Sequence, residues 1–62
     1  MSKPIKKLRQ YREKKFWSMQ ELANEAELSI FVVSKAEAGG KVSLGSIKKL
    51  AAALEISPEK LL

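Results

Sequence analysis

The sequence predicts an all-α fold, a compact bundle of five short helices. Apolar residues recur three or four positions apart in successive segments, which is the spacing of one helical face. Two glycines, Gly39 and Gly40, end the middle segment as a helix C-terminus would. A serine precedes each of the last four segments, where its hydroxyl can cap a helix start: Ser18, Ser29, Ser43 and Ser57.

The first two helices are predicted at about 4–15 and 19–26. Ile5, Leu8 and Tyr11 mark the apolar face of helix 1, which begins at Pro4 and ends near Lys15. Helix 2 begins with a capping box, Ser18 and Glu21, in which each side chain accepts a backbone N–H of the other residue. Its apolar stripe follows at three positions: Leu22, Ala23 and Ala26.

Helix 3 is predicted at about 30–38. The apolar run 30–33 favours a strand as much as a helix, because three of its residues are β-branched and one is aromatic. The capping Ser29, the helix-favouring residues 34–38 and the glycines that follow decide for a helix.

Helices 4 and 5 complete the bundle. Helix 4 follows Ser43, with one apolar face made of Leu44, Ile47, Leu50, Ala51 and Leu54. Ser57 caps helix 5 and Pro58 occupies its first position, where the missing N–H costs nothing. Leu61 and Leu62 are expected to close against the core.

The 62 residues predict one domain, 1–62, with a thin core, since a chain of this length buries only about 60% of its unfolded surface. There is no cysteine and no histidine, so no disulfide or zinc site supplements that core. The usual nucleophile–base pairs are missing as well, and no carboxylate cluster or glycine-rich phosphate loop stands out. We therefore expect no enzymatic activity, no metal, no cofactor and no small-molecule substrate.

The net charge of +5 and the pI near 9.8 favour a polyanionic partner. Seven of the twelve basic residues lie in the first fifteen positions, although such a run is equally typical of a solvated helix face. No segment has the length and apolarity of a membrane span or a signal peptide, so the expected location is the cytoplasm. Helix 1 is too sparsely apolar to lie on a membrane, and its apolar face is needed for the core.

The stretch from Leu8 to Leu62 resembles the lambda repressor/Cro-type (Xre-like) helix-turn-helix family. The motifs that carry the resemblance run in order through the chain: Leu8-Arg9 with Arg12, Ser18-x-x-Glu21-Leu22-Ala23, Leu28-Ser29, Val33-Ser34-Lys35, Glu37-x-Gly39, Leu44-x-x-Ile47-x-x-Leu50-Ala51-x-Ala53-Leu54, and Ile56-Ser57-Pro58-Glu59-x-Leu61-Leu62. Each fragment is weak alone, but their order and spacing over nearly the whole chain are specific.

The resemblance implies a sequence-preferring regulator of transcription, a repressor of bacterial or phage origin, that binds double-stranded DNA as a homodimer, at least on DNA. Residues of about 18–38 would form the helix-turn-helix unit, with helix 3 in the major groove. Ser18 and the Met19 amide would meet a phosphate at the N-terminus of helix 2. Arg12 and Glu37 would form a partly buried structural ion pair.

The DNA-binding candidates lie mostly on helices 2 and 3 and the loop that follows: Arg9, Ser18, Met19, Ser29, Ile30, Phe31, Ser34, Lys35 and Lys41. Lys35 and Lys41 are candidates for phosphate contacts, and Lys35 for a base contact as well. Arg9 and Lys15 are candidates from helix 1. For each lysine, a solvated surface charge is an equally good interpretation.

The sequence departs from the family pattern in three ways: Met19 replaces a usual glutamine, Glu27 replaces a turn glycine, and Ile30 and Phe31 replace polar readers of bases. Three interpretations of Ile30 and Phe31 stay open. They pack on thymine methyl groups, they bind a protein or a second copy, or one of them packs partly into the core. The second interpretation supports an alternative function, a protein-interaction or antitoxin-like module with an apolar recognition helix.

Overall fold

The computed structural model describes residues 2–62; Met1, which the predicted domain includes, lies outside them. The described residues form four α-helices: α1 (Leu8–Lys14), α2 (Met19–Ala26), α3 (Ile30–Glu37) and α4 (Leu44–Leu54). A short 3₁₀ turn (Pro58–Leu61) follows α4. Two strands, β1 (Ser2–Pro4) and β2 (Lys41–Ser43), pair as a small antiparallel sheet.

Serine caps begin α2, α3 and α4, as the sequence predicts. The hydroxyl oxygens of Ser18, Ser29 and Ser43 accept backbone N–H groups three residues later, over 3.1, 3.3 and 3.1 Å. These bonds satisfy donors that a helix start leaves without a partner. The predicted bounds of α2 and α3 are confirmed to within one residue, and α4 begins directly after Ser43 as predicted.

Each of the four helices ends with the same pair of backbone bonds. At the end of α1, Phe16 N–H donates to the Glu13 carbonyl at 3.0 Å and Trp17 N–H to the Arg12 carbonyl at 3.3 Å. This pattern requires a left-handed residue, and an apolar residue that touches the core frequently follows it. Trp17, Leu28 and Ile56 supply the apolar contacts after α1, α2 and α4.

Glycine provides the left-handed residue only after α3, where Gly39 has φ 88°. The corresponding residues after the other helices are Phe16, Glu27 and Glu55, with φ of 58–59°. Gly40 meets a different constraint, since a Cβ there would lie 2.6 Å from the Lys35 Cγ. Glycine at position 40 therefore lets the chain turn tightly past α3.

The core is made of buried apolar side chains from all four helices and the segments that flank them: Ile5, Leu8, Leu22, Ala23, Ala26, Val33, Ala36, Val42, Ile47, Leu50, Ala51, Leu54 and Leu61. Four of the five predicted apolar residues of α4 belong to it, but Leu44 is exposed. Leu62 is exposed too, whereas the sequence predicted that it closes against the core beside Leu61.

The prediction of five helices is wrong in its last element. Residues 58–61 form a 3₁₀ turn, in which Lys60 N–H bonds to the Ser57 carbonyl at 3.0 Å. The predicted cap by the Ser57 side chain is wrong as well, because its hydroxyl accepts no backbone N–H of this turn. Four residues allow little of the i→i+4 ladder of an α-helix, so the tighter i→i+3 bonds prevail. Leu61 still fills the core.

The predicted start of helix 1 is also wrong. Pro4 belongs to β1 and Lys7 adopts a left-handed conformation with φ 63°, so α1 begins only at Leu8. Ile5 and Leu8 are both buried despite this break. The three-residue spacing of Ile5 and Leu8 suggested a continuous helix. The structure buries both side chains in another way, with a bend at Lys7 between them.

The sheet has no counterpart in the sequence prediction. Ser2 pairs with Ser43, Lys3 with Val42 and Pro4 with Lys41. Each strand has three residues and β1 contains a proline, so neither shows a strand pattern by itself. The pairing closes about forty residues of chain, and local patterns do not reveal such contacts.

In the described part of the chain, no helix has the length and apolarity needed to cross a membrane.

Replacing Phe16 with glycine should stabilise the protein. Phe16 has φ 59° and is 92% exposed, so its side chain stabilises little while its Cβ strains the backbone. We expect Phe16→Gly to raise the free energy of unfolding by about 0.5–1 kcal/mol, after the added chain entropy of glycine is subtracted. Thermal unfolding followed by circular dichroism measures this change. Phe16→Ala is the control, because it keeps the Cβ; an equal gain in both variants would contradict a backbone origin.

Candidate nucleic-acid interface

One face of α3 points away from the core. Phe31, Ser34, Lys35 and Ala38 are exposed and follow the i, i+3, i+4, i+7 spacing of a single helical stripe, with Ala38 just past the last helical residue. We call these four residues the α3 stripe. Phe31, in the first turn of α3, leaves 80% of its surface open to solvent.

The opposite face of α3 anchors the helix. Val33 and Ala36 are buried, and Ile30 and Val32 are half-buried against the core. Ile30 and Phe31 thus have different environments, although the sequence presents them as a pair. Partial core packing describes Ile30, whereas Phe31 stays free for an outside partner.

Arg12 holds the C-terminal end of α3 in place. Its Nε and Nη2 donate to the two Glu37 carboxylate oxygens at 2.5 and 3.0 Å, and its Nη1 donates to the Trp17 carbonyl at 2.8 Å. The side chains of Arg12 and Glu37 are only 12% and 10% exposed. The hydrogen bond to Glu37 raises the pKa of Arg12 above its ordinary value, so the guanidinium stays charged.

A shallow cavity of about 240 Å³ lies beside α3, between the helix and the sheet. Its lining comes from β1, α3, β2 and the start of α4: Ser2, Val32, Lys35, Lys41, Val42, Ser43 and Ser46. We call it the lysine cavity. Two cations and three hydroxyl groups line it, and no carboxylate does so within residues 2–62. Such a surface favours an anion.

A second, larger cavity of about 480 Å³ has a different charge. Glu25, Glu27 and Glu55 line it together with Lys15 and Lys49, and we call it the glutamate cavity. Lys15 Nζ donates to Glu55 at 2.8 Å and lowers the pKa of that carboxyl. Three of the seven acidic residues therefore lie here and none in the lysine cavity, so a polyanion meets less repulsion beside α3.

The start of α2 presents free amides rather than a free hydroxyl oxygen. Ser18 accepts the Glu21 N–H, and Glu21 Oε1 accepts the Ser18 N–H at 2.8 Å, which completes the predicted capping box. The cap leaves the Met19 and Gln20 amides at the open end of the helix. The Met19 side chain is half-buried against the core, so its backbone is the part available to a phosphate.

The predicted DNA-binding residues are thus only partly brought together. Phe31, Ser34 and Lys35 share the α3 stripe, and Lys35 and Lys41 share the lysine cavity. Ser29 caps α3. Arg9 is exposed on α1, where its Nε donates to Glu13 at 3.1 Å.

The structure adds residues that sequence reasoning did not include in this surface. Ser46 belongs to the lysine cavity, and its signal was present, because Ser43-x-x-Ser46 opens the helix that follows α3. Ser2 lines the same cavity only because β1 pairs with β2, and no local pattern indicates that pairing.

Comparison with known proteins gives one family and two similar structures. A family model described as Helix-turn-helix matches residues 8–61. The chain is similar to the restriction-modification controller protein C.AhdI from Aeromonas hydrophila, with a TM-score of 0.84 and 40% identity, covering 90% of this chain and 86% of that one. It is also similar to a hypothetical transcription factor, NHTF, from Neisseria, with a TM-score of 0.78 and 35% identity, covering 86% of this chain and 61% of that one. No curated protein sequence matches the chain.

Removing the charge of Glu37 should destabilise the fold strongly. Glu37→Gln leaves the guanidinium of Arg12 without its counterion in a site that is nearly closed to water, which costs about 3 kcal/mol of unfolding free energy. Urea denaturation followed by circular dichroism measures the loss. The matched control is Glu13→Gln, since Arg9 and Glu13 form an ion pair with side chains 71% and 57% exposed. There we expect about 0.5 kcal/mol or less; equal losses would refute a special role for the Arg12–Glu37 pair.

Proposed function

The chain belongs to the Cro/C1-type helix-turn-helix family, and on that premise we propose that it is a sequence-preferring regulator of transcription that inserts α3 into the major groove of double-stranded DNA. The two similar structures, described as a restriction-modification controller protein and a hypothetical transcription factor, support a regulatory function. The observation that carries the proposal is the exposed α3 stripe with the lysine cavity beside it. A helix that presents a continuous face outward while its ends are fixed suits the width of the groove.

Contacts to the DNA backbone supply most of the affinity in this proposal. Lys35 and Lys41 approach phosphates at the edge of the groove and release condensed counterions. The free amides at the start of α2 hold a second phosphate, because a helix N-terminus favours an anion. These contacts set the register of α3 on the duplex, and the stripe then faces the bases.

The regulator acts as a homodimer on DNA. The eight residues of α3 span about 12 Å, equivalent to three or four base pairs at about 3.4 Å each. A half-site of this length specifies little sequence. A second copy of the protein, bound about one helical turn away, doubles the number of base pairs that are recognised. A pseudopalindromic operator is the expected result.

The second candidate function is a protein-interaction module. The exposure of Phe31, at 80%, is the observation that favours it, since exposed aromatic side chains are common at protein interfaces. The lysine cavity next to Phe31 favours a polyanion instead. If the protein does not bind duplex DNA even at low salt, the DNA-binding proposal is rejected and the protein-interaction module is the function that is left.

Selection from a randomised duplex pool over a range of salt concentrations tests the main proposal. We expect the retained duplexes to share a symmetric motif, and we expect affinity to fall steeply as salt rises. Binding without an enriched motif would reject sequence preference and leave only electrostatic attraction.

Individual lysines then test the position of the interface. Lys35→Ala and Lys41→Ala should each reduce the slope of log affinity against log salt by about 1. Lys49→Ala is the matched control, because Lys49 is also an exposed lysine but lines the glutamate cavity. Equal changes of the slope in all three variants would show that DNA does not bind preferentially at the lysine cavity.

A further inference from the structure

We propose that Phe31 determines sequence specificity by contacting the C5-methyl group of a pyrimidine, in the first place thymine, in the major groove. This inference rests on the proposed function, because it assigns a target to the surface that faces the bases. Its basis is the chemistry of the α3 stripe and the way the protein holds Phe31.

The α3 stripe has little capacity for hydrogen bonds. Phe31 and Ala38 offer none, Ser34 offers one hydroxyl, and Lys35 offers an ammonium group that phosphates also attract. The stripe contains no amide or guanidinium, the groups that recognise adenine or guanine through paired bonds. The methyl group of thymine is the major-groove feature that an apolar side chain can distinguish.

Phe31 lies where a base contact requires it. It is the second residue of α3, in the N-terminal turn that approaches base edges in this docking mode. Ser29 caps that turn, and Ile30 and Val32 on either side pack against the core. The backbone at Phe31 is therefore held from both sides, and its ring projects outward with 80% of its surface open.

The charge next to Phe31 favours DNA over a protein as the occupant. Lys35 is one turn further along the same stripe, about 6 Å along the helix axis. An apolar group followed by a cation at this distance suits a duplex, whose methyl groups lie within the groove and whose phosphates form its edge. The lysine cavity extends this positive surface.

A double-mutant cycle tests the proposal with the full chain. We compare two randomised duplex pools, one that contains thymine and one in which deoxyuridine replaces every thymidine. The C5-methyl group is then the only difference between the pools. The wild type should bind the deoxyuridine pool about fourfold more weakly for each methyl contacted, which is about 0.8 kcal/mol at 1.4 kcal/mol per factor of ten. Phe31→Ala should bind the two pools equally.

Two further variants distinguish the contact of Phe31 with the methyl group from a general effect of removing an exposed aromatic side chain. Phe16→Ala removes the other strongly exposed phenylalanine of the described residues and should keep the discrimination of the wild type. Phe31→Leu keeps an apolar side chain and should retain part of it. Circular dichroism of Phe31→Ala should show an unchanged fold, since an exposed ring contributes little to the core.

5-Methylcytosine carries the same methyl group, and a third pool with this base in place of cytosine identifies the source. Stronger binding to that pool by the wild type, but not by Phe31→Ala, would support the methyl contact and extend it to methylated cytosine. A gain that persists in Phe31→Ala would overturn the assignment to Phe31.

The remaining outcomes separate this inference from the proposed function. Steep salt dependence with no difference between the thymine and deoxyuridine pools would overturn the methyl contact and leave DNA binding intact. So would a Phe31→Ala variant that discriminates as the wild type does. Failure of the wild type to bind any pool at low salt would overturn both.

Discussion

The Arg12 guanidinium connects three parts of the chain, and the orientation of α3 depends on it. It binds both carboxylate oxygens of Glu37 at the end of α3 and the Trp17 carbonyl between α1 and α2. Both charged side chains are nearly closed to water, so separating them would leave a buried charge without its counterion, which is strongly unfavourable. The outward face of α3 is consequently fixed relative to the core.

Given that orientation, α3 serves two purposes with few polar residues. Val33 and Ala36 close the core on one side, while Phe31, Ser34 and Lys35 face outward on the other. With so few hydrogen-bonding groups on its outward face, α3 suits the proposed recognition by shape and methyl contacts better than recognition by hydrogen bonds. The two cavities favour one side of the molecule for a polyanion. The lysine cavity attracts it beside α3, and the carboxylates of the glutamate cavity weaken the attraction on the other surface.

Much of the fold and part of the site could be predicted from sequence. The starts of α2, α3 and α4 depend on serine caps whose hydrogen bonds reach only three residues, so a serine directly before a helical apolar pattern indicates them locally. The left-handed turn at Glu27 was expected from the family pattern and is present, with φ 58°. For the candidate site, the sequence indicated α3 with Lys35, and Lys41 in the segment that follows.

By itself, then, the sequence determined the helices that short-range hydrogen bonds and apolar spacing specify, and the family to which they belong. Tertiary structure alone decided that β1 pairs with β2, that Ser2 reaches the lysine cavity, and that Lys15 binds Glu55. It also separated Ile30 from Phe31. These features depend on which distant segments meet in the folded chain, and residues about forty positions apart leave no local pattern that records their contact.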